Sequence, residues 1–173
     1  GQLAKIRGSE LVVGSAGSQE KLDWLTGELG YDAAFNYRDA DLHRELKAAF
    51  PAGIDVYFDN VGGSHLEAAI GRMRDFGRLA LCGAAEIYNA TSAPEGPRNL
   101  TLAVTRRLKL QGFIVTDHWS RFGEFVKEVG GYLADGTLTY RETVYEGLEA
   151  SPEAFIGLFE GANLGKMLVR LAD

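Results

Sequence analysis

The chain has 173 residues, a formal net charge of -6 and 46% hydrophobic residues, which is the size and balance of one compact soluble domain rather than two. Its apolar runs fall well short of the roughly 18 residues of a transmembrane helix, and no cluster of Lys and Arg offers an electrostatic footprint for nucleic acid. The single cysteine, Cys82, excludes a disulfide framework and a cysteine-rich zinc site, so we expect a cytoplasmic protein without a membrane or nucleic-acid partner.

The first half of the chain alternates between two kinds of segment. Gly1–Gly8 has no initiator methionine and looks like a helix entered midway. After it, apolar segments predict strands over Leu11–Gly14, Ala33–Tyr37, Ile54–Phe58, Arg78–Cys82 and Lys109–Val115. Segments of helical period lie between them and begin near Ser18, Leu42 and Leu66. This alternation predicts βαβ units and an α/β fold with a doubly wound parallel sheet.

The second half departs from that rhythm. A polar stretch from Ala84 to Arg98 contains two prolines and predicts a long functional loop. The helix predicted over Phe122–Ala134 carries a strong apolar stripe, which we expect to lie on the sheet. The final segment, Leu138–Asp173, predicts a strand, a helix and a strand, with Ser151 as N-cap and Pro152 at the first helical position.

Residues that follow the strands are the candidates for a site, because ligands bind beyond the carboxyl ends of the strands in such sheets. Ser18 follows the first strand, and Lys21 lies one turn into a helix whose N-terminus favours anions. An NAD-specific site places Asp or Glu here to hold the ribose 2′-hydroxyl; this chain has neither, and Ser18 and Lys21 suit a 2′-phosphate. A capped helix with a solvated lysine explains the same residues, so both interpretations stay open.

Two further strand ends are candidates. Asn60 lies in a turn ending in two glycines that would let a ligand approach the backbone, although an ordinary strand-to-helix turn looks the same. Cys82 precedes Gly83 at the next strand end and, taken singly, is expected to be a buried core residue, because no nearby histidine could activate it. We find no spacing typical of a metal site and no G-x-G-x-x-G phosphate loop.

A series of ordered strings carries a family resemblance. They are Gly14–Lys21 (GSAGSQEK), Phe35–Tyr37 (FNY), Asp55–Gly63 (DVYFDNVGG), Leu81–Ala84 (LCGA) leading to Tyr88-Asn89, Gly96–Leu100 (GPRNL), Gln111–Val115 (QGFIV), Glu146–Glu149 (EGLE), Pro152–Phe155 (PEAF) and Gly161–Lys166 (GANLGK). In these strings the whole chain resembles the cofactor-domain half of the zinc-independent medium-chain dehydrogenase/reductases. The resemblance is to the prostaglandin reductase branch, with its leukotriene 12-hydroxydehydrogenases, 2-alkenal reductases and curcumin reductase-like enzymes.

The resemblance implies an NADP(H) cofactor and roles for particular residues. Lys21 and Tyr37 would contact its 2′-phosphate end, and Asn163 would reach back to it from the C-terminal segment. Other implied cofactor contacts are Asn60, the run Cys82, Gly83, Ala84 to Tyr88, and, beside the nicotinamide, Phe113, Ile114 and Val115.

The resemblance also implies a domain organisation. Residues 1–137 would form a partial NADP-binding domain of Rossmann type, with its first strand and Gly-rich loop missing, and residues 138–173 would be a returning segment of the catalytic domain. A homodimer through the strand near Lys109–Val115 is the implied assembly.

The implied activity is NADPH-dependent reduction of carbon–carbon double bonds in α,β-unsaturated ketones and aldehydes, with an enone or enal as the small-molecule substrate and no metal. Tyr88 is the candidate catalytic residue, although packing against the cofactor explains it equally, since a phenol with a pKa of about 10 is a poor proton donor without tuning. A quinone reductase of the same superfamily and an inactive nucleotide-binding fragment are the alternatives.

Overall fold

The computed structural model describes residues 1–88, 90–92 and 96–171. In chain order its helices and strands are α1 (Gln2–Ile6), β1 (Val13–Ala16), α2 (Gln19–Gly27), β2 (Ala33–Asn36), α3 (Leu42–Ala49), β3 (Ile54–Asp59), α4 (Gly63–Arg72), β4 (Met73–Leu81), α5 (Leu102–Thr105), β5 (Lys109–Gly112), α6 (Phe122–Ala134), β6 (Glu142–Glu146), α7 (Ser151–Glu160) and β7 (Lys166–Arg170). Short 3₁₀ helices cover Ala85–Ile87, Val115–Arg121 and Leu148–Ala150. The chain divides into two compact units: unit 1 is Gly1–Arg38 with Phe125–Asp173, and unit 2 is Asp39–Glu124.

Unit 1 contains two parallel strand pairs, each closed by a helix. β1 and β2 pair from Val13 opposite Ala33 to Ala16 opposite Asn36, with α2 as the connection. α2 forms because Ser18 has extended backbone and caps it, its hydroxyl accepting the N–H of Lys21. The prediction of a capped helix after the first strand is confirmed.

The second strand pair of unit 1 confirms the predicted strand–helix–strand segment. β6 and β7 are parallel along their whole length, and α7 connects them. Ser151 is the first helical residue rather than the N-cap, and Ala150 takes the cap position without a side-chain bond. Pro152 therefore takes the second helical position rather than the predicted first one, still within the first turn, where a missing N–H is tolerated.

Unit 2 is built on a three-stranded parallel sheet in the order β3-β4-β5. Its apolar core consists of Leu46, Ile54, Ala68, Ala69, Ile70, Met73 and Leu79, which come from α3, β3, α4 and β4. β5 ends at Gly112, three residues before the predicted end, because the chain turns into a 3₁₀ helix where the Ile114 N–H donates to the Asp117 carboxylate at 3.3 Å. The predicted class, α/β with parallel strands, is confirmed.

One prediction about packing is wrong. α6 spans Phe122–Ala134 as predicted, but its stripe is not buried: Phe125 and Val126 are each 50% exposed. Within unit 1 the helix is tied instead by a polar contact, the 2.7 Å ion pair between Arg7 and Glu128. The sheets of unit 1 have two strands each, and so narrow a sheet cannot cover an apolar stripe of this length.

In the part of the chain that the structure covers, we find no helix with the length and apolar character needed to cross a bilayer.

Candidate functional site

The ends of β1 and β2 carry the residues predicted to meet a 2′-phosphate. Ser18 and Lys21 are half-buried at the start of α2, and Tyr37 follows β2 with 38% of its surface exposed. The Lys21 ammonium donates a hydrogen bond of 2.7 Å to the carbonyl of Gly161, the residue that ends α7 in the left-handed conformation. An ammonium has three N–H donors, so Lys21 keeps capacity for an anion.

Arg38 belongs to the same cluster and was missed in the sequence. A β-carbon on Gly17 would lie 2.8 Å from Arg38 Nε and 3.0 Å from the Tyr37 hydroxyl oxygen. Both side chains therefore cover the backbone of the loop that joins β1 to α2. The sequence signal for Arg38 was its position directly after Tyr37 at a strand end, because an arginine near this point accommodates a 2′-phosphate in dinucleotide-binding sheets.

Asn163 lies two residues beyond the carbonyl that holds Lys21. Its side chain is half-buried, and its Nδ2 donates to the Gly165 carbonyl at 2.6 Å, within its own loop. Its predicted contact with a cofactor stays a prediction.

In unit 2 the turn after β3 is organised by Asp59, which is only 1% exposed. Its carboxylate accepts the backbone N–H groups of Val61 and Gly62 at 2.9 and 3.0 Å, and its carbonyl accepts those of Cys82 and Gly83 at 2.8 and 3.2 Å. Asp59 thereby joins the turns at the ends of β3 and β4. The predicted residue beside it, Asn60, is exposed, and its carbonyl accepts the N–H of Ala85 at 3.0 Å.

The charge of Asp59 also acts on its neighbour in the strand. Burial, and after it the carboxylate of Asp59, raise the pKa of Tyr57 well above its ordinary value. Tyr57 is therefore a neutral phenol at every physiological pH, and its hydroxyl lies 3.4 Å from Asp59 Oδ1 as a donor.

The turn after β4 approaches its neighbours too closely for a side chain at Gly83. A β-carbon there would lie 3.0 Å from the carbonyl oxygen of Asn60 and 3.3 Å from the Tyr88 hydroxyl oxygen. That hydroxyl accepts the backbone N–H of Ala84 at 3.3 Å. Because the oxygen is used as an acceptor, the phenolic proton of Tyr88 is available to another group.

A cleft of about 540 Å³ opens at the ends of β4 and β5. It is lined by Leu81, Cys82, Gly83, Ala84, Tyr88, Gly112, Phe113, Ile114 and Asp117. The expectation of a buried core thiol at Cys82 is wrong, because the strand ends one residue earlier and the cysteine is exposed on the cleft wall. Asp117 was missed; its only sequence signal was its place three residues after Ile114, where a carboxylate can cap a 3₁₀ turn.

The predicted site residues divide between the two units. Those on the cleft are Cys82, Gly83, Ala84, Tyr88, Phe113 and Ile114. Val115 begins the 3₁₀ helix with 64% of its surface exposed and does not line the cleft. Asn89, which completes one string of the resemblance, lies outside the described residues.

No group of three His, Cys, Asp or Glu side chains converges as metal ligands anywhere in residues 1–88, 90–92 and 96–171.

Known proteins match the chain over its whole length. The sequence model of the family described as zinc-binding dehydrogenase matches residues 1–130. Over 173 residues the chain is 44% identical to (+)-pulegone reductase of Mentha piperita and 43% identical to 2-alkenal reductase (NADP(+)-dependent) of Nicotiana tabacum, in each case covering 99% of the chain and 50% of the relative. The crystal structure of CurA from Vibrio vulnificus in complex with NADPH superposes with a TM-score of 0.92 at 40% identity, over 100% of this chain and 52% of that one. The chain thus spans about half the length of the curated relatives it matches.

Proposed function

Since the chain belongs to the zinc-binding dehydrogenase family, we propose that the complete protein is an NADPH-dependent reductase of carbon–carbon double bonds conjugated to a ketone or aldehyde. The observation that carries the proposal is the cleft at the ends of β4 and β5, where Tyr88 can donate a proton beside an apolar wall formed by Phe113 and Ile114. The names of the relatives, pulegone reductase and alkenal reductase, support this substrate class.

The residues present fit the cofactor. In unit 1 the cations of Lys21 and Arg38 have the charge that a 2′-phosphate requires, and Ser18 adds a hydroxyl at a helix N-terminus. In unit 2, Gly83 leaves no room for a β-carbon beside Asn60 and Tyr88, so that turn keeps bare backbone at the edge of the cleft. We propose that Ser18, Lys21 and Arg38 of unit 1 bind the 2′-phosphate of NADPH.

The chain's own residues would stabilise the charge that develops in the reaction. When bound, NADPH supplies a hydride to the β-carbon of the conjugated double bond. Negative charge then develops on the substrate's carbonyl oxygen, and the Tyr88 hydroxyl donates a hydrogen bond to it. The apolar side chains of Phe113 and Ile114 would hold the uncharged chain of the substrate. The enolate then takes up one proton from solvent at its α-carbon, which completes the reduction.

The test is a substrate comparison with the complete protein. Loss of NADPH absorbance is followed with an enal, an enone, a quinone, and an alcohol with NAD, each with and without a metal chelator. We expect turnover of the enal and enone that the chelator does not change. Strict dependence on added zinc, or activity only with alcohols and NAD, would overturn the proposal, and a clear preference for the quinone would favour a quinone reductase.

Two further proposals concern organisation. The first is the division into a cofactor domain, residues 1–137, and a returning catalytic segment, residues 138–173. The boundary between these segments falls within unit 1, and the division stays a prediction.

The second is a homodimer through the strand near Lys109–Val115, which also stays a prediction. β5 is the outer strand of its sheet and, among the described residues, pairs only with β4, so its other edge is open as that assembly requires.

A further inference from the structure

We propose that Asp117 is a specificity-determining residue of the cleft, and that its charge makes the protein select uncharged enones and enals over those that carry a carboxylate. The inference rests on the proposed reduction of conjugated double bonds and narrows the class of substrate that the same cleft accepts. It concerns a residue that the sequence did not single out.

Asp117 supplies the charge on the cleft wall. Among the described residues that line the cleft it is the one acidic or basic side chain, and the others are Gly, Ala, Leu, Ile, Phe, Tyr and Cys. The residue is exposed, and no ion pair in the described part of the chain engages its carboxylate. A negative charge therefore stands on an otherwise apolar wall without a cation to balance it.

Hydrogen bonds within one turn hold this carboxylate in place. Its Oδ2 accepts the backbone N–H of Ile114 at 3.3 Å, and the Asp117 N–H donates to the Ile114 carbonyl at 3.0 Å. Ile114 lines the cleft together with Phe113, whose ring contacts that of Phe58 edge-to-face with centroids 6.1 Å apart. The charge stays beside the apolar wall, because the side chain cannot rotate away without breaking its bond to the Ile114 N–H.

A substrate in the cleft lies within the field of this charge. A cleft of about 540 Å³ is comparable in width to the Debye length of about 10 Å at 0.1 M salt, so salt screens charges inside it only in part. Beside apolar side chains two negative charges repel each other more strongly than in bulk water. A substrate carboxylate placed along Phe113 and Ile114 meets that repulsion, an ester does not, and a cationic group is attracted instead.

The test compares three enones that share one straight chain and differ only at the end remote from the conjugated carbonyl: a carboxylate, its methyl ester and a trimethylammonium group. Values of kcat/KM are measured at saturating NADPH on the complete native protein and on its Asp117→Asn and Asp117→Glu variants. We expect Asp117→Asn to raise kcat/KM for the carboxylate by about five- to tenfold, to lower it for the cation, and to leave the ester within about twofold. Asp117→Glu should keep most of the native preference.

The Asn side chain retains a carbonyl that can accept the Ile114 N–H, so this variant removes the charge and keeps the turn. Glu124→Gln is the matched control, because it removes an equal charge from the start of α6, outside the cleft lining. We expect it to keep the native ratio of ester to carboxylate. The assay is run at about pH 8, where an ordinary histidine is uncharged, because the His118 ring lies 6.2 Å from that of Phe113.

Ionic strength gives a second measurement that needs no variant. Raising the salt from about 0.05 M to about 0.5 M should narrow the ester-to-carboxylate ratio of the native protein, and should do so less in Asp117→Asn. If the native protein reduces both enones equally well, or Asp117→Asn leaves their ratio unchanged or slows all three substrates alike, this inference fails while the proposed function stands. If none of the three enones is reduced with NADPH, the proposed function itself fails.

Discussion

The hydroxyl of Tyr88 on the cleft wall can be removed while the ring is kept, so a catalytic role of this residue can be tested separately from packing. Its oxygen accepts the Ala84 N–H at 3.3 Å, and 65% of the residue is exposed. We predict that Tyr88→Phe lowers kcat for an enone by about a hundredfold, the effect of removing one hydrogen-bond donor to a developing oxyanion. The NADPH dissociation constant should change by less than about twofold, because the ring is kept. Single-turnover kinetics and calorimetry on the same preparation measure the two quantities.

Tyr88→Ala is the companion variant for the same residue. It removes both ring and hydroxyl, so NADPH binding should weaken as well as kcat. If Tyr88→Phe turns over enones at the native rate while Tyr88→Ala weakens NADPH binding, the ring only packs against the cofactor and the catalytic role is wrong.

Which residues the sequence could identify depends on how their signals arise. Lys21 and Tyr37 stand at strand ends in recognisable strings, and the structure places both beside the β1–α2 loop. The sequence does not predict the role of Asp59, because a lone carboxylate in a strand does not reveal that two turns will hydrogen-bond to it. Cys82 was expected in the core since free cysteines usually are, and the end of β4 at Leu81 exposed it.

At the scale of elements, periodicity located the strands and helices, and their ends were set by contacts between distant residues. α3 and α6 form where the sequence predicts them, because their apolar positions repeat at helical spacing. β4 begins at Met73, five residues before the predicted start. Its first residues, Met73 to Gly77, are rich in charge and end in glycine, and β-propensity alone does not predict such a strand. Pairing of Met73 with Ile54 overrides it.

The polar stretch Ala84–Arg98 is tied to α4 at two points. Near its start the Glu86 carboxylate accepts the Ser64 N–H at 3.0 Å, at the N-terminus of the helix. At its end Arg98 donates to Glu67 through its guanidinium at 3.0 Å and through its backbone N–H at 2.9 Å. These contacts hold both ends of the stretch that bears Tyr88 against α4.

The Arg98–Glu67 contact predicts a pH dependence of stability. The hydrogen bond from the Arg98 side chain, followed by its backbone N–H, lowers the pKa of Glu67 below its ordinary value of 4.5. A carboxyl whose folded pKa is depressed stabilises the fold above its unfolded pKa, and that contribution is lost as the pH falls through the folded value. The free energy of unfolding should therefore be higher for the native protein than for Arg98→Gln by a constant amount above about pH 5, and the difference should shrink below pH 4.5.

Urea unfolding at stepped pH measures that difference. Arg121→Gln is the matched control, because it breaks an ion pair with Glu124 in which both side chains are about three-quarters exposed. We expect it to leave stability unchanged at every pH. A difference for Arg98→Gln that stays constant down to pH 3 would show that the carboxylate of Glu67 does not contribute through its charge.

At the scale of the whole molecule, the described chain leaves large apolar side chains in water. Along α7, Phe155 and Phe159 are 62% and 54% exposed, and their rings contact each other edge-to-face with centroids 5.2 Å apart. Ile156 beside them is 57% exposed. Soluble monomers seldom expose contiguous apolar patches of more than a few hundred Å², and composition alone could not show which face of the helix would lack cover.

We predict that the 173-residue chain, produced by itself, self-associates with rising concentration and binds a hydrophobic dye. Light scattering and dye fluorescence measure both effects. The double variant Phe155→Ser with Phe159→Ser should reduce association and dye binding while the helical circular dichroism stays the same, since neither ring is part of the core. Tyr140→Ser is the control, because Tyr140 is 64% exposed outside α7 and its loss should change neither signal. A chain that stays monomeric at all concentrations, or a double variant that binds as much dye as the native chain, would mean that the α7 face is covered in solution.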